Sequence, residues 1–317
     1  SAFSDPKDIT IDSFDKTMFT IENGNEIVPN KNGKYGTGII IIRDTNPLRN
    51  FMGVIRLELK PAGAAAAPMV SANSHATVAL KADGTVWTWG YNINGQLGND
   101  STADSLAPVQ VKGGESGGAY LTNVVQVSAG GSNDSNNRYF MLALRGDGSV
   151  YAWGNNAFGQ LGNGETGADV LTPVQVKGED GNGYLSDIVQ ISAGSMFSMA
   201  LDRHGRVYTW GRNDKGQLGN GTTTNSPFPI RPEGGASYTM YLEDVVQIAA
   251  GGDWSSGVND FAVVLKKDGS VMTWGRNTNG QLGVGSTSEF VNRPVRAKGV
   301  GTPELNEIVE ISAGGVS

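Results

Sequence analysis

Cysteine is absent from all 317 residues, which excludes a disulfide framework, a thiolate metal site and a cysteine nucleophile. Histidine is almost as scarce, at 2 residues. His75 opens an extended run and His204 sits in a turn, and neither has a partner at the spacing of zinc ligands or of a catalytic triad. No catalytic residue, metal ligand or cofactor site is therefore assigned, and the chain is not expected to be an enzyme. Charged residues make up 17% of the chain, below the usual ~25%. Positive charge is the scarcer sign, with 24 Lys and Arg against 31 Asp and Glu and a net charge of -7. The longest basic cluster is Lys266-Lys267, so neither nucleic acid nor an anionic membrane finds the cationic surface it needs. No apolar run approaches the ~18 residues of a spanning helix, so membrane insertion is not expected. The start, Ser1-Ala2-Phe3-Ser4-Asp5, lacks the basic and apolar regions of a signal peptide.

Glycine, by contrast, is abundant: 46 of 317 residues, about twice the usual share of ~7%. Such a chain turns often, and it does so periodically. Trp-Gly pairs stand at Trp89, Trp153, Trp210 and Trp274, with separations of 153-89=64, 210-153=57 and 274-210=64. A second series, beginning at Val70-Ser71-Ala72 and returning at Val127, Ile191, Ile248 and Ile311, advances by 57, 64, 57 and 63. Self-similarity at this period marks a repeat architecture in which each unit buries its apolar face against its neighbours.

Each unit reads as four short strands, A to D. In the third these are Ile188 to Ala193, Phe197 to Leu201, Arg206 to Trp210 and Pro229 to Arg231, and no segment reads as a helix. Four-stranded units at regular spacing predict an all-β propeller, with Trp89, Trp153, Trp210 and Trp274 as structural wedges between blades. The glutamines of the Gln-Leu-Gly turns, Gln96, Gln160, Gln217 and Gln281, are expected to satisfy buried backbone groups.

The pattern Asp-Gly-x-Val-x-x-Trp-Gly-x-Asn-x-x-Gly-Gln-Leu-Gly runs from Asp83 to Gly98, Asp147 to Gly162 and Asp268 to Gly283, and from His204 to Gly219 with His in the first place. It resembles the signature of the regulator of chromosome condensation repeat family across roughly residues 69 to 317. The resemblance implies a seven-bladed propeller acting as an interaction platform. The founding member is a guanine-nucleotide exchange factor on chromatin, one bacterial relative inhibits β-lactamases through loops on one face, and many bacterial relatives are exported. Only four full units stand here, followed by a fifth strand A at Ile308 to Ala313. That strand is expected to lack pairing partners, which opens self-assembly, or completion of the propeller in an assembly, as an alternative role.

The chain divides into residues 1–60, a small β-rich module of unassigned role; residues 61–68, a linker of Pro, Ala and Gly; and the propeller repeats, 69–317. Because antiparallel strands reverse direction, the A-to-B and C-to-D connections emerge on one face. From Ser71 to Leu80 and from Ser192 to Leu201 the step is 9 residues, whereas from Ser128 to Leu144 and from Ala249 to Leu265 it is 16. Units two and four thus carry seven-residue inserts on that face. Loops on a rigid scaffold carry binding residues, and Trp, Tyr and Arg are favoured anchors. Arg138, Tyr139 and Trp254 are the expected anchors, with Asp134, Asn136 and Asp253 as polar neighbours. The competing reading is that Tyr139 and Trp254 fold back to cover a blade. The expected function is recognition of another protein or a surface polymer by an exported or surface-displayed bacterial binding module. An exchange factor for a small GTPase is the other alternative.

Overall fold

The computed structural model describes residues 9–14, 19–22, 26–29, 36–44, 52–59 and 66–314, apart from 133–136, 235–239, 253–258 and 300–303. Near the N-terminus β1 (Ile9–Phe14), β4 (Gly36–Asp44) and β5 (Met52–Leu59) form an antiparallel sheet in the order β1-β4-β5, and β2 (Phe19–Glu22) pairs with β3 (Glu26–Pro29). The alternation of Ile and polar residues in β1 and the Ile39-Ile40-Ile41-Ile42 run in β4 are what select strand over helix here.

From Met69 the chain builds four antiparallel four-stranded sheets. Blade one holds β6 (Met69–Ala72), β7 (Ala76–Leu80), β8 (Val86–Gly90) and β9 (Ser105–Gln110). Blade two holds β10 (Val124–Ser132), β11 (Arg138–Arg145), β12 (Val150–Gly154) and β13 (Val170–Gln175). Blade three holds β14 (Ile188–Ala193), β15 (Phe197–Asp202), β16 (Val207–Gly211) and β17 (Ser226–Ile230). A two-residue hairpin, β18 (Glu233–Gly234) with β19 (Met240–Tyr241), leads to blade four: β20 (Val245–Gly251), β21 (Phe261–Lys266), β22 (Val271–Arg276) and β23 (Phe290–Arg296). The only helical features among the described residues are two three-residue 3-10 turns.

The B-to-C turns explain one irregularity of the motif. Asp83, Asp147 and Asp268 each accept the backbone N–H two residues on, closing the turn around a glycine at φ of 77 to 82°. Unit three has His204 in that place, and Asp202 takes over by accepting from the N–H groups of His204 and Arg206, both at 2.9 Å.

The cores lie between blades, not within them. Val78, Leu80 and Leu97 of blade one pack with Val127, Met141 and Trp153 of blade two, and the pattern recurs around Trp210 and Trp274. The first strands β6, β10, β14 and β20 contact one another in sequence and form the inner ring. Two polar devices tie that ring. Gln126 donates to the Ile191 carbonyl and accepts from its N–H, as Gln190 does with Ile248. Ser71, Ser128 and Ser192 each accept the N–H of the alanine on the next blade at 2.9 to 3.1 Å.

Trp153, Trp210 and Trp274 are 0% exposed, and each Nε1 donates at 2.9 Å to the carbonyl of Gln96, Gln160 or Gln217 on the preceding blade. These three indoles are buried among residues of two adjacent blades. Trp89 is the correction: it is half-buried, because among the described residues no blade packs on that side of blade one. Val70 tells the same story at 66% exposure, against 1–2% for Val127, Ile191 and Ile248 at the same repeat position. A second correction concerns Ile308 to Ala313. The segment forms no strand, yet part of its backbone is paired: Ile311 exchanges two hydrogen bonds with the Gln247 amide, and the Ile308 N–H donates to the Gly269 carbonyl. Strand D of unit three is also placed earlier than its sequence suggests, at Ser226–Ile230.

Candidate functional site

The A-to-B and C-to-D connections share one face. At one repeat position at the start of strand B, His75, Tyr139, Met196 and Asp260 each offer the backbone carbonyl to the N–H that follows the Trp-Gly pair: Tyr91, Asn155, Arg212 and Arg276, at 2.7 to 3.0 Å. The glycine of each pair is required here. Its φ lies between 103 and 109°, and a Cβ would stand 2.4 to 2.7 Å from that carbonyl oxygen.

The C-to-D loops are held by one buried asparagine apiece: Asn92, Asn156, Asn213 and Asn277. Each Oδ1 accepts the N–H of the leucine in the Gln-Leu-Gly turn, and each Nδ2 donates to carbonyls later in the loop. The four glutamines do satisfy backbone groups, their Oε1 accepting an N–H two residues earlier. This rigid frame fixes where the variable side chains emerge.

On it lie two clusters. Between blades one and two, the buried Tyr139 sends its hydroxyl to Nδ1 of the exposed His75 at 2.9 Å, with the Tyr91 ring edge-on to Tyr139 at 6.1 Å. Tyr139 therefore corrects the expectation of an exposed anchor: it is 0% exposed and forms the wall under the loops. From blade two to blade four runs a polar belt. The guanidinium groups of Arg138 and Arg212 lie 5.1 and 5.0 Å from the Phe158 ring centroid, a cation–π arrangement shared between two blades. Arg212 also grips Asp214 with two contacts at 2.8 Å, and Glu289 joins Lys215 at 3.0 Å to Arg276 at 3.3 Å. The Lys215 hydrogen bond, with the nearby cations, holds the Glu289 carboxyl below the usual range.

Asp260 stands at the foot of the second insert. It is 0% exposed, its Oδ1 accepts the Ser195 N–H of blade three at 3.0 Å, and its Oδ2 has no hydrogen-bond partner among the described residues. Burial pushes its carboxyl up to about 6, against the opposing pull of the Ser195 hydrogen bonds and of Arg212.

Of the anchors expected from sequence, Arg138 is brought to Phe158, and Tyr139 is withdrawn into the core. Asp134, Asn136, Asp253 and Trp254 lie outside the described residues. The insert of unit two is shorter as a loop than its sequence suggests, because β10 continues to Ser132 and β11 begins at Arg138. Sequence reasoning passed over Phe158, Arg212 and Asp260. The available signal was variation between units. Phe158 stands where the other units have Asn94, Lys215 and Asn279, and four different residues, His75, Tyr139, Met196 and Asp260, occupy one repeat position at the start of strand B. Among the described residues no group of three or more His, Asp or Glu is placed to hold a metal ion.

Comparison with known proteins accounts for this frame. The chain is 33% identical over 226 residues to the human E3 ubiquitin-protein ligase HERC2, covering 71% of this chain and 4% of HERC2. It is 30% identical over 225 residues to the ultraviolet-B receptor UVR8 of Arabidopsis thaliana, covering 69% of this chain and 47% of UVR8. The chain thus spans less than half the length of either relative. Its fold is that of Prp20p from Saccharomyces cerevisiae, with a TM-score of 0.61 at 19% identity over 89% of this chain and 66% of that one; Prp20p has binding properties toward Gsp1p and histones. Human WBSCR16 is similar, with a TM-score of 0.59 at 19% identity over 88% and 68% of the two chains. The model of the regulator of chromosome condensation (RCC1) repeat matches residues 83–133, 147–201, 204–258 and 268–316, more than half of the chain and all four blades. The chain belongs to the RCC1 repeat family.

Proposed function

We propose that the protein is a non-catalytic recognition module that binds another protein through the face carrying its A-to-B and C-to-D loops, and that it works as an exported or surface-displayed module. The observation that carries this reading is the Arg138–Phe158–Arg212 cluster, a half-buried aromatic and two guanidinium groups set on the most regular part of the scaffold. Aromatic and Arg side chains are the favoured anchors of protein interfaces, and a rigid frame keeps their ordering cost low. The protein ligands of Prp20p support a protein partner. A chain without cysteine and with a net charge of -7 suits an oxidising exterior better than a chromatin surface.

Photo-crosslinking tests it. p-Benzoylphenylalanine at position 158 is expected to capture a discrete protein from extracts and culture supernatants of the source cells, and the same group at His204, on the opposite face, is not. Capture from position 204 alone would move the site to the other face.

A second reading is self-association through the uncovered side of blade one. It is favoured by the exposure of Val70 at 66% and of Leu106 at 104%, at positions equivalent to Val127 and Leu171 of blade two. Sedimentation velocity at rising concentration checks it: self-association predicts a shift to larger species that Leu106→Asp suppresses, and one concentration-independent monomer boundary contradicts it.

A further inference from the structure

The Asp260 carboxyl joins two blades at the base of the proposed binding face. Its Oδ1 takes the Ser195 N–H from the A-to-B loop of blade three, while its own backbone carbonyl takes the Arg276 N–H of blade four. Gly252, which ends the exit from β20, packs so closely here that a Cβ would lie 2.3 Å from Oδ1 and 2.2 Å from the Ser195 Oγ. The backbone at Gly252 thus lies against the junction. Among the described residues one of the two carboxyl oxygens of Asp260, Oδ2, has no hydrogen-bond partner. The equivalent junction between blades one and two is built differently, from the Tyr139 hydroxyl and the exposed His75 ring.

A fully buried carboxyl is favoured when neutral and costly when charged. The charged groups facing it are Arg212 and Asp214, both from the C-to-D loop of blade three, and they neutralise each other through their own ion pair. Neither supplies a hydrogen bond to Oδ2. We propose that Asp260 is a proton-sensitive latch between blades three and four: its Oδ1 holds the blade-three loop to the start of β21, and ionisation of the buried carboxyl, whose charge the burial disfavours, weakens the junction. The latch regulates the face assigned above to partner binding and rests on that assignment for its role. Its existence does not.

The sign follows from linkage. The folded carboxyl keeps its proton up to about pH 6, whereas an exposed aspartate releases it near 4. Between those values the closed junction binds more protons than the open one, so opening becomes easier as pH rises through that window and stays easier above it.

Amide hydrogen exchange tests this without any partner, so failure of the binding assignment cannot be mistaken for failure of the latch. Protection at residues 195–199 and 260–263, corrected for the intrinsic rate, is expected to fall by roughly tenfold between ~pH 4.5 and ~pH 7.5 in the wild type. In Asp260→Asn, which keeps the Oδ1 acceptor and cannot ionise, it is expected to stay within about twofold. Residues 139–142, at the His75–Tyr139 junction, serve as the internal control. Equal protection at both pH values in the wild type overturns the proposal, and so does an equal loss in the Asn variant. Should that variant fail to fold, the carbon-13 titration of the wild-type carboxyl decides: a midpoint near 6 upholds the latch and one near 4 removes it.

Discussion

Trp210→Ala is expected to lower stability by about 3–5 kcal/mol, the range for emptying a fully buried aromatic site. The indole fills the space between blades two and three among Leu161, Val176 and Tyr208, and its Nε1 donates to the Gln160 carbonyl. Gly162 packs against the indole so closely that a Cβ would stand 2.8 Å from that Nε1, and a glycine offers no side chain to fill the cavity. In a repeat protein the loss is felt at an interface, and both flanking blades should unfold earlier. Trp89→Ala supplies the contrast. The same residue at the same repeat position is only half-buried and has no hydrogen-bond partner for Nε1 among the described residues. Its replacement should cost less than about 1.5 kcal/mol. Urea unfolding of the two variants measures both. Equal shifts would mean that burial between blades is not what gives these tryptophans their weight.

The second large effect belongs to a residue type that carries no apolar burial. Asn213→Ala removes the acceptor of the buried Leu218 N–H at 2.9 Å and the donor to the Thr224 carbonyl at 3.0 Å, the latter at the exposed end of the loop. A buried donor left unpaired costs about 1–3 kcal/mol, and a loss of that size is expected. The loop carrying Arg212, Asp214 and Lys215 should lose its shape with it. Asn279→Ala, one unit later and exposed, should change stability by less than about 0.5 kcal/mol. Thermal unfolding distinguishes the two. A small effect at Asn213 would show that water reaches the loop root and replaces the side chain.

The fold was legible because its determinants repeat. Trp153, Trp210 and Trp274 recur at one position since each blade must cover the next, and the glutamines of the Gln-Leu-Gly turns recur because each turn has the same backbone donor to satisfy. The limits of Ile9–Phe14 could be read from alternation alone. Trp89 was misjudged for the same reason that the others were not. Repetition gives the residue, whereas burial depends on whether a neighbour is present, and the motif does not encode that.

The site was less legible, since its residues are those that do not repeat. Tyr139 looks like a loop anchor because it ends an insert, but β11 starts one residue earlier and turns its ring inward against His75. Phe158 and Arg212 belong to different blades, 54 residues apart (212-158=54), and only the closed C-to-D loops bring them together. The lone carboxyl of Asp260 carries no spacing signal at all. Its partner, Ser195, lies 65 residues away across a blade boundary.

The most direct test of a loop-face recognition module is a binding measurement with the partner captured by crosslinking. Phe158→Ala and Arg212→Ala should each weaken its affinity at least tenfold, about 1.4 kcal/mol, at unchanged circular dichroism, while Arg203→Ala on the opposite face should leave it within about twofold. Undiminished affinity in both loop-face variants, with loss in Arg203→Ala, would contradict the account.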